Sequence, residues 1–478
     1  MSYCDTSEQV VIIGWPGHCL MVRAFACIVI TSTLARLAQA NLHYLAYSYA
    51  VRDEAEQIFP FNVECQTSYQ LAWPNFGRYY EHRLTGDLWS TDVARQLSTR
   101  HLPLARVAIT IFNTFLCSGD REFGPQHLPE EGGHNGLSAD KILAAAQMLR
   151  RESARLDGTF PVTHDFYLKL YQLSQLDFSK LRQTLLFDEE KNANSVMQSP
   201  VLARSHSVVL VGDRHQHIYR FCGAEKALDA PALDNVDQLY LTHSFLFGPA
   251  VAQAANILLA RQGERGSVGG EGRNDRGVGS TPEYVKGLFV TILSRTVAGV
   301  IDAALGTGLA GKQVHWVGGI SSYKTEELED LYWFSEDMPE RIHSPHFSRG
   351  YRNFEVYELV ARATRDVEMN QGLRLLELYF PLPQKLQVMR KHTVTEESLT
   401  QVTVSTVHRG KGLECPVVVL NHDFADITAP LMADCERTDE INLLYAAVTR
   451  AREMLVLNEL LQVVMDNEGN DIAGDLAC

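Results

Sequence analysis

Short apolar runs recur along this chain, separated by stretches with helical spacing. Residues 10–13 (Val-Val-Ile-Ile) and 42–47 read as strands, and residues 31–40 and 50–58 read as helices. Leu185-Leu-Phe187 and Val208-Val-Leu-Val211 are again strand-like, each followed closely by acidic residues. Alternating strands and helices predict a mostly parallel sheet with both faces covered. Ligands of such sheets bind beyond the carboxyl ends of the strands.

Other segments break this rhythm. Residues 86–160 read as polar and helical, with a glycine-rich tip at Glu131-Gly-Gly-His134. Residues 261–280 hold seven glycines and no aromatic residue, which reads as a flexible surface loop whose arginines are open to a nucleic acid. A second strand-rich pattern covers 286–320 and 401–460, and the segment between is helical and charged. The expected organisation is therefore a first core domain at 1–85 and 161–260, interrupted by a helical insertion at 86–160. A flexible Gly/Arg-rich loop follows at 261–280. A second core domain is expected at 281–324 and 400–478, interrupted by a helical insertion at 325–399.

Composition narrows the class. Of 478 residues, 45% are hydrophobic and 21% charged, the balance of a soluble globular protein. No apolar run reaches the roughly 18 residues of a membrane span. The N-terminal residues lack the basic region and cleavage site of a signal peptide. An intracellular location is expected, in a bacterial cytoplasm or a eukaryotic nucleus. Nine scattered cysteines with no Cys-x-x-Cys pair fit a reducing compartment without a zinc site. The net charge of −15 excludes a protein coated in basic surface. It leaves room for a locally positive groove, where nucleic-acid binding would be salt-sensitive.

The chemistry concentrates in three stretches. The first is Val211-Gly-Asp-Arg-His-Gln-His-Ile-Tyr-Arg-Phe-Cys-Gly-Ala224, and the second is Val404-Ser-Thr-Val-His-Arg-Gly-Lys-Gly-Leu-Glu414. The third is Asn442-Leu-Leu-Tyr-Ala-Ala-Val-Thr-Arg-Ala-Arg452. In this order they resemble motifs III, V and VI of UvrD/Rep-type superfamily 1 DNA helicases. Thr163–Lys169, Leu241–Phe245 and Val317–Ile320 carry a narrower likeness to the helicase portion of the F-box DNA helicase family. No F-box segment is found, so ubiquitin-ligase recruitment is not implied.

The resemblance implies two RecA-like, parallel-sheet P-loop NTPase domains with helical insertions. ATP and Mg²⁺ are the implied cofactors, and single-stranded DNA is the implied partner. Protein partners are not specified. By resemblance, Asp188 and Glu189 occupy the acidic pair after a core strand. The aspartate holds Mg²⁺ and the glutamate orients the attacking water. Gln216 matches the sensor of the terminal phosphate, and Arg450 the arginine that reaches that phosphate across the cleft. Gln9 matches a base-reading glutamine, Phe245 the residue that stacks on adenine, and Gly412 and Glu414 the nucleotide-sugar contact. Tyr219 and Phe221 match a base-stacking floor, and Thr406 and His408 lie along the expected DNA path. Arg295 matches a further motif position.

The phosphate loop departs from the pattern. Where relatives carry Gly-x-Gly-Lys-Thr, this chain reads Cys27-Ile-Val-Ile-Thr31. Thr31 survives as a Mg²⁺ ligand, with Ser32 beside it. The glycines that let bare amides approach phosphate are gone, as is the lysine that neutralises it. Leu246 replaces the motif IV arginine, and Cys222 the arginine after Phe221. Gly306–Lys312 fits Gly-x₄-Gly-Lys, but a helical run precedes it and a strand follows, the reverse of a phosphate loop. Two expectations follow. One is an ATP-dependent 3′–5′ helicase or translocase in DNA repair or recombination. The other is a catalytically impaired helicase-like DNA-binding or interaction protein.

Overall fold

The computed structural model describes residues 10–14, 42–46, 49–99, 101–128, 137–174, 184–188, 195–197, 207–216, 218, 237–240, 242–264, 266–272, 275–279, 287–344, 347, 351–364 and 367–475. In chain order the strands are β1 Val10–Gly14, β2 Leu42–Ala46, β3 Val63–Thr67, β4 Leu84–Thr85, β5 Val162–Thr163, β6 Thr184–Asp188, β7 Ser207–Gly212 and β8 Asp237–Tyr240. They continue with β9 His243–Ser244, β10 Gly269–Gly270, β11 Val278–Gly279, β12 Val290–Ser294, β13 Val314–Trp316, β14 Thr393–Val394, β15 Val402–Thr406, β16 Cys415–Leu420 and β17 Ala451–Val456.

Two parallel sheets organise the chain. The first has the order β3-β2-β6-β7-β1-β8 and the second β11-β17-β16-β12-β15-β13-β14. Every pairing recorded in both is parallel. The sequence pattern explains this. β2 and β15 are buried along their whole length. Such two-sided burial favours continuous β-branched and apolar runs over alternation. The mixed α/β, doubly covered architecture is the one expected of RecA-like domains.

Helical segments attach to each sheet. Helices Leu102–Cys117, Ala139–Ala154 and His164–Leu173 build one core with the inner residues of β6. The stretch read as polar is therefore only partly so. Helix Leu102–Cys117 buries Ile111, Phe112 and Phe115, because two further helices cover it. Helices Thr325–Ser335, Phe354–Thr364, Val367–Leu378 and Leu382–Lys391 form a second helical body against β13 and β15. Among the described residues no helix is long and apolar enough to cross a membrane.

Two sequence expectations need correction. Residues 261–280 do not form a plain loop. β10 pairs with β9 and β11 with β17, and Val268 is buried. The amides of Gly269, Glu271 and Gly272 donate to the carbonyls of Thr242, Ser244 and Phe247. A Cβ on Gly270 would stand 2.3 Å from the Gly248 oxygen, and one on Gly272 2.5 Å from the Phe247 carbonyl carbon. The glycines here serve close backbone approach rather than flexibility. Helix Pro249–Arg261, expected in the first core domain, buries its apolar face with the helices Asp434–Val448 and Glu459–Asp475 of the second. Its own spacing gives the buried face; only the tertiary structure gives the partner.

Lys169 is 1% exposed, and its ammonium donates to the carbonyls of Ser118, at 2.7 Å, and Asp120. Burial pushes its pKa from 10.5 down to about 8, against the pull of Asp120. The unfolded chain therefore binds the extra proton between those values, and stability rises with pH across that window. Chemical denaturation of the wild type and Lys169→Met at pH 7 and pH 10 is expected to favour the wild type more at pH 10. Gly270→Ala is expected to cost roughly 1–3 kcal/mol by overpacking against backbone, read as a lower midpoint in the same assay.

Candidate nucleotide and nucleic-acid site

Gln216 closes a 3₁₀ turn, Arg214–Gln216, just beyond the carboxyl end of β7. Asp213 shapes the turn: its carbonyl accepts from the Gln216 amide at 3.2 Å and its carboxylate from the His215 amide at 2.9 Å. Gln216 is fully buried. Facing it is Arg450, which lies between helix Asp434–Val448 and β17. Arg450 is 1% exposed and donates to the Ala446 carbonyl at 2.7 Å, the Thr449 hydroxyl at 3.0 Å and the Gln216 side-chain oxygen at 3.4 Å. Lys411 donates to the Gln216 carbonyl at 3.3 Å. Two residues 234 positions apart are thus brought together from the two sheets.

Glu414 precedes β16 and meets Arg452 at 3.8 Å. Burial pushes the Glu414 carboxyl above its ordinary range, opposed by Arg452 and Arg450. Its Oε1 is shielded from solvent without a hydrogen-bond partner among the described residues. Gly412 holds φ at +92°, a conformation that favours glycine. Phe245 is 67% exposed, with its ring open to a ligand.

Residues 401–458 match the UvrD-like helicase C-terminal domain. The chain is 29% identical to F-box DNA helicase 1 of Gallus gallus, over 93% of this chain and 48% of that protein. It is also 29% identical to F-box DNA helicase protein 1 of Schizosaccharomyces pombe, over 95% of this chain and 57% of that protein. The chain is similar to UvrD/Rep-type superfamily 1 helicases along nearly its whole length. It spans about half the length of the curated relatives it matches.

The residues expected along the DNA path make contacts within the fold. Thr406 caps the short helix Val407–Gly410, its hydroxyl accepting from the Arg409 amide at 3.2 Å. The His408 Nε2 lies 3.1 Å from the Ile218 carbonyl and so ties that turn to the segment after β7. Burial pushes the His408 pKa below its ordinary value, although the Ile218 bond opposes the shift. Arg295 sits after β12, and its guanidinium makes a two-oxygen pair with Glu440 on helix Asp434–Val448. Asp423 accepts from the Arg295 and Thr296 amides at 2.9 and 2.8 Å.

Several expected site residues, Gln9, Thr31, Ser32, Glu189, Tyr219 and Phe221, lie outside the described residues, as do Cys27 to Ile30 and Cys222. Asp188 ends β6, where only its backbone is described. Tyr69 is tied by its hydroxyl to Asp165 at 2.7 Å.

Motif reasoning missed a second bridge. The His215 Nδ1 lies 2.8 Å from Gln262 Oε1, and its Nε2 lies 3.1 Å from Glu264. Gln262 in turn donates to the Asn442 side chain at 2.8 Å. Asn442 lies within helix Asp434–Val448 and Arg450 two residues beyond its end, and the His215 ring packs edge-on to Tyr445 on that helix. The loop bearing Gln216 is therefore fastened to the helix leading to Arg450 by side chains 47 and 180 positions apart in sequence. No local signal marks Gln262, because its partners come from distant segments.

A double-mutant cycle on His215→Ala and Asn442→Ala is expected to give a coupling energy of roughly 0.5–3 kcal/mol, as for members of one hydrogen-bond network. Additive losses in urea denaturation would show that the bridge does not join the two segments.

Proposed function

We propose that the chain is the motor core of an ATP-dependent 3′–5′ DNA helicase or single-stranded DNA translocase, acting within the cell in DNA repair or recombination. The observation that carries this reading is the approach of Arg450 to Gln216. An arginine meeting a buried amide across the two sheets would suit sensing of a terminal phosphate that comes and goes. The first core domain would be 1–85 with 161–260 and the second 281–324 with 400–478, allowing for helix Pro249–Arg261 packing on the second.

The described residues suit the nucleoside end of ATP. A sugar hydroxyl would satisfy the Glu414 Oε1, which has no hydrogen-bond partner among the described residues, and Phe245 offers an exposed ring to the base. Arg450 and Gln216 would meet the terminal phosphate, with Asp188 and Thr31 on Mg²⁺ and Glu189 on the water. Bound ATP would supply the driving free energy through loss of its terminal phosphate. On the DNA side, Tyr219 and Phe221 would carry bases, and Thr406 and His408 would flank the strand.

The phosphate end of the site fits less well. Cys27-Ile-Val-Ile30 offers neither the glycine backbone nor the ammonium that polyphosphate needs. This observation favours a second reading, a helicase fold kept for DNA binding after turnover was lost.

ATP hydrolysis by the purified chain, with and without single-stranded DNA, separates the two. A motor gives DNA-stimulated turnover that Arg450→Ala lowers by about 10³-fold or more, the scale for such arginines. The binding protein gives no turnover but salt-sensitive strand binding, and restoring Cys27→Gly, Val29→Gly and Ile30→Lys raises its hydrolysis. Absence of both turnover and binding overturns both readings.

A further inference from the structure

The second helical body carries an apolar patch where two helices end. Tyr332, in the last turn of helix Thr325–Ser335, meets Phe380, two residues beyond helix Val367–Leu378, at 6.1 Å between ring centres. Phe380 is 66% exposed and Leu378 58% exposed. Trp333 continues the surface, edge-on to Tyr332 at 5.0 Å. Single exposed apolar side chains are ordinary on a protein. Here two of them stand together beside an aromatic pair, which marks an interaction surface.

The surroundings of the patch are acidic. Glu336, Asp337 and Glu340 follow the first helix end, and Glu377 lies in the last turn of the second, all exposed. The Glu336 amide donates to the Tyr332 carbonyl at 3.1 Å and the Asp337 amide to the Phe334 carbonyl at 3.4 Å, which keeps both acids at the helix end. Neither helix has a basic residue in its last turn. The negative ends of both helix dipoles therefore add to the carboxylates, with no lysine or arginine there to offset them. Arg374 stands a turn earlier on the second helix, where it attracts Asp302 of helix Val297–Leu309. One cation is already held at this surface, the Arg341 guanidinium lying 4.3 Å from the Trp333 ring centre.

We propose that this patch docks a short basic segment of a partner protein, an apolar side chain of which packs on Phe380 and Leu378 while flanking lysines or arginines face the two helix ends. Charge complementarity selects this occupant. A second copy of the chain would set the same carboxylates against one another, and each copy carries a net charge of −15. Nucleic acid and anionic lipid are repelled for the same reason. A purely apolar partner would cut the carboxylates off from water without pairing them, which is costly. The patch includes none of the residues assigned to nucleotide or strand, so its test does not depend on hydrolysis.

The test selects a phage-displayed library of short random peptides on the full chain and titrates the strongest binder, fluorescein-labelled, by anisotropy. Selected peptides are expected to combine Lys or Arg with Phe, Leu or Trp. Phe380→Ala and, separately, Leu378→Ser are expected to weaken binding about tenfold, the scale of one lost apolar anchor. Glu336→Lys combined with Glu377→Lys is expected to weaken it by a similar factor, with the loss shrinking as salt is added. Glu81→Lys combined with Glu122→Lys makes the same change in net charge at exposed positions of the first helical body, and is expected to leave affinity near wild type. Melting curves confirm which variants are folded, and Leu378→Ser serves where Phe380→Ala is not. Selection that returns no binder, or binders indifferent to the patch variants, overturns the proposal. Equal losses in the two charge-reversal pairs show non-specific attraction to an acidic protein and overturn it as well. Concentration-dependent dimers in sedimentation velocity that Phe380→Ala abolishes assign the patch to a second copy and overturn the peptide assignment.

Discussion

A guanidinium withdrawn from water at the seam between two sheets is the constraint on which this structure turns. Arginine stays charged in proteins, so burial of Arg450 has to be met by acceptors. The helix before it gives the Ala446 carbonyl, the neighbouring residue gives a hydroxyl, and the segment after β7 of the other sheet gives the Gln216 amide oxygen. The last of these couples the arginine to the position of the first sheet. A change in the distance between the sheets alters what Arg450 is bonded to, and a phosphate group entering the seam would compete for the same guanidinium.

Much of the surrounding polar structure keeps that seam in register. The His215–Gln262–Asn442 bridge fastens the loop of Gln216 to the helix leading to Arg450. Lys411 and His408 hold the backbone of the same segment at Gln216 and Ile218. Glu440, on that helix, pairs with Arg295 and so fixes it to the end of β12. These are neutral or charge-assisted bonds in partly buried surroundings, where loss of one partner leaves the other exposed to the full desolvation cost. The seam is therefore built to be specific in geometry.

The glycines show how composition misleads when read alone. Residues 261–280 are rich in glycine and arginine, a composition that suggests a solvated loop. In the fold, Gly270 and Gly272 press against the backbone of Phe247 and Gly248, and β11 extends the second sheet at its edge. Glycine permits both flexibility and close approach, and only the neighbouring chain decides between them. Helix Pro249–Arg261 was not read from the sequence, and its partners, too, come from distant segments.

The sequence by itself determined the strand runs at 10–13, 185–187 and 208–211, because a continuous run of adjacent apolar residues is the signal of a strand in a parallel sheet. It also determined the order of the motifs around Gln216, Gly412, Glu414 and Arg450, because their spacing along the chain carries a helicase likeness that the comparisons share. The tertiary structure alone decided which distant residues meet. Gln262 and Asn442 are unremarkable in sequence and lie 180 positions apart. Contacts of that kind depend on the relative placement of sheets and helical bodies, which no local periodicity records.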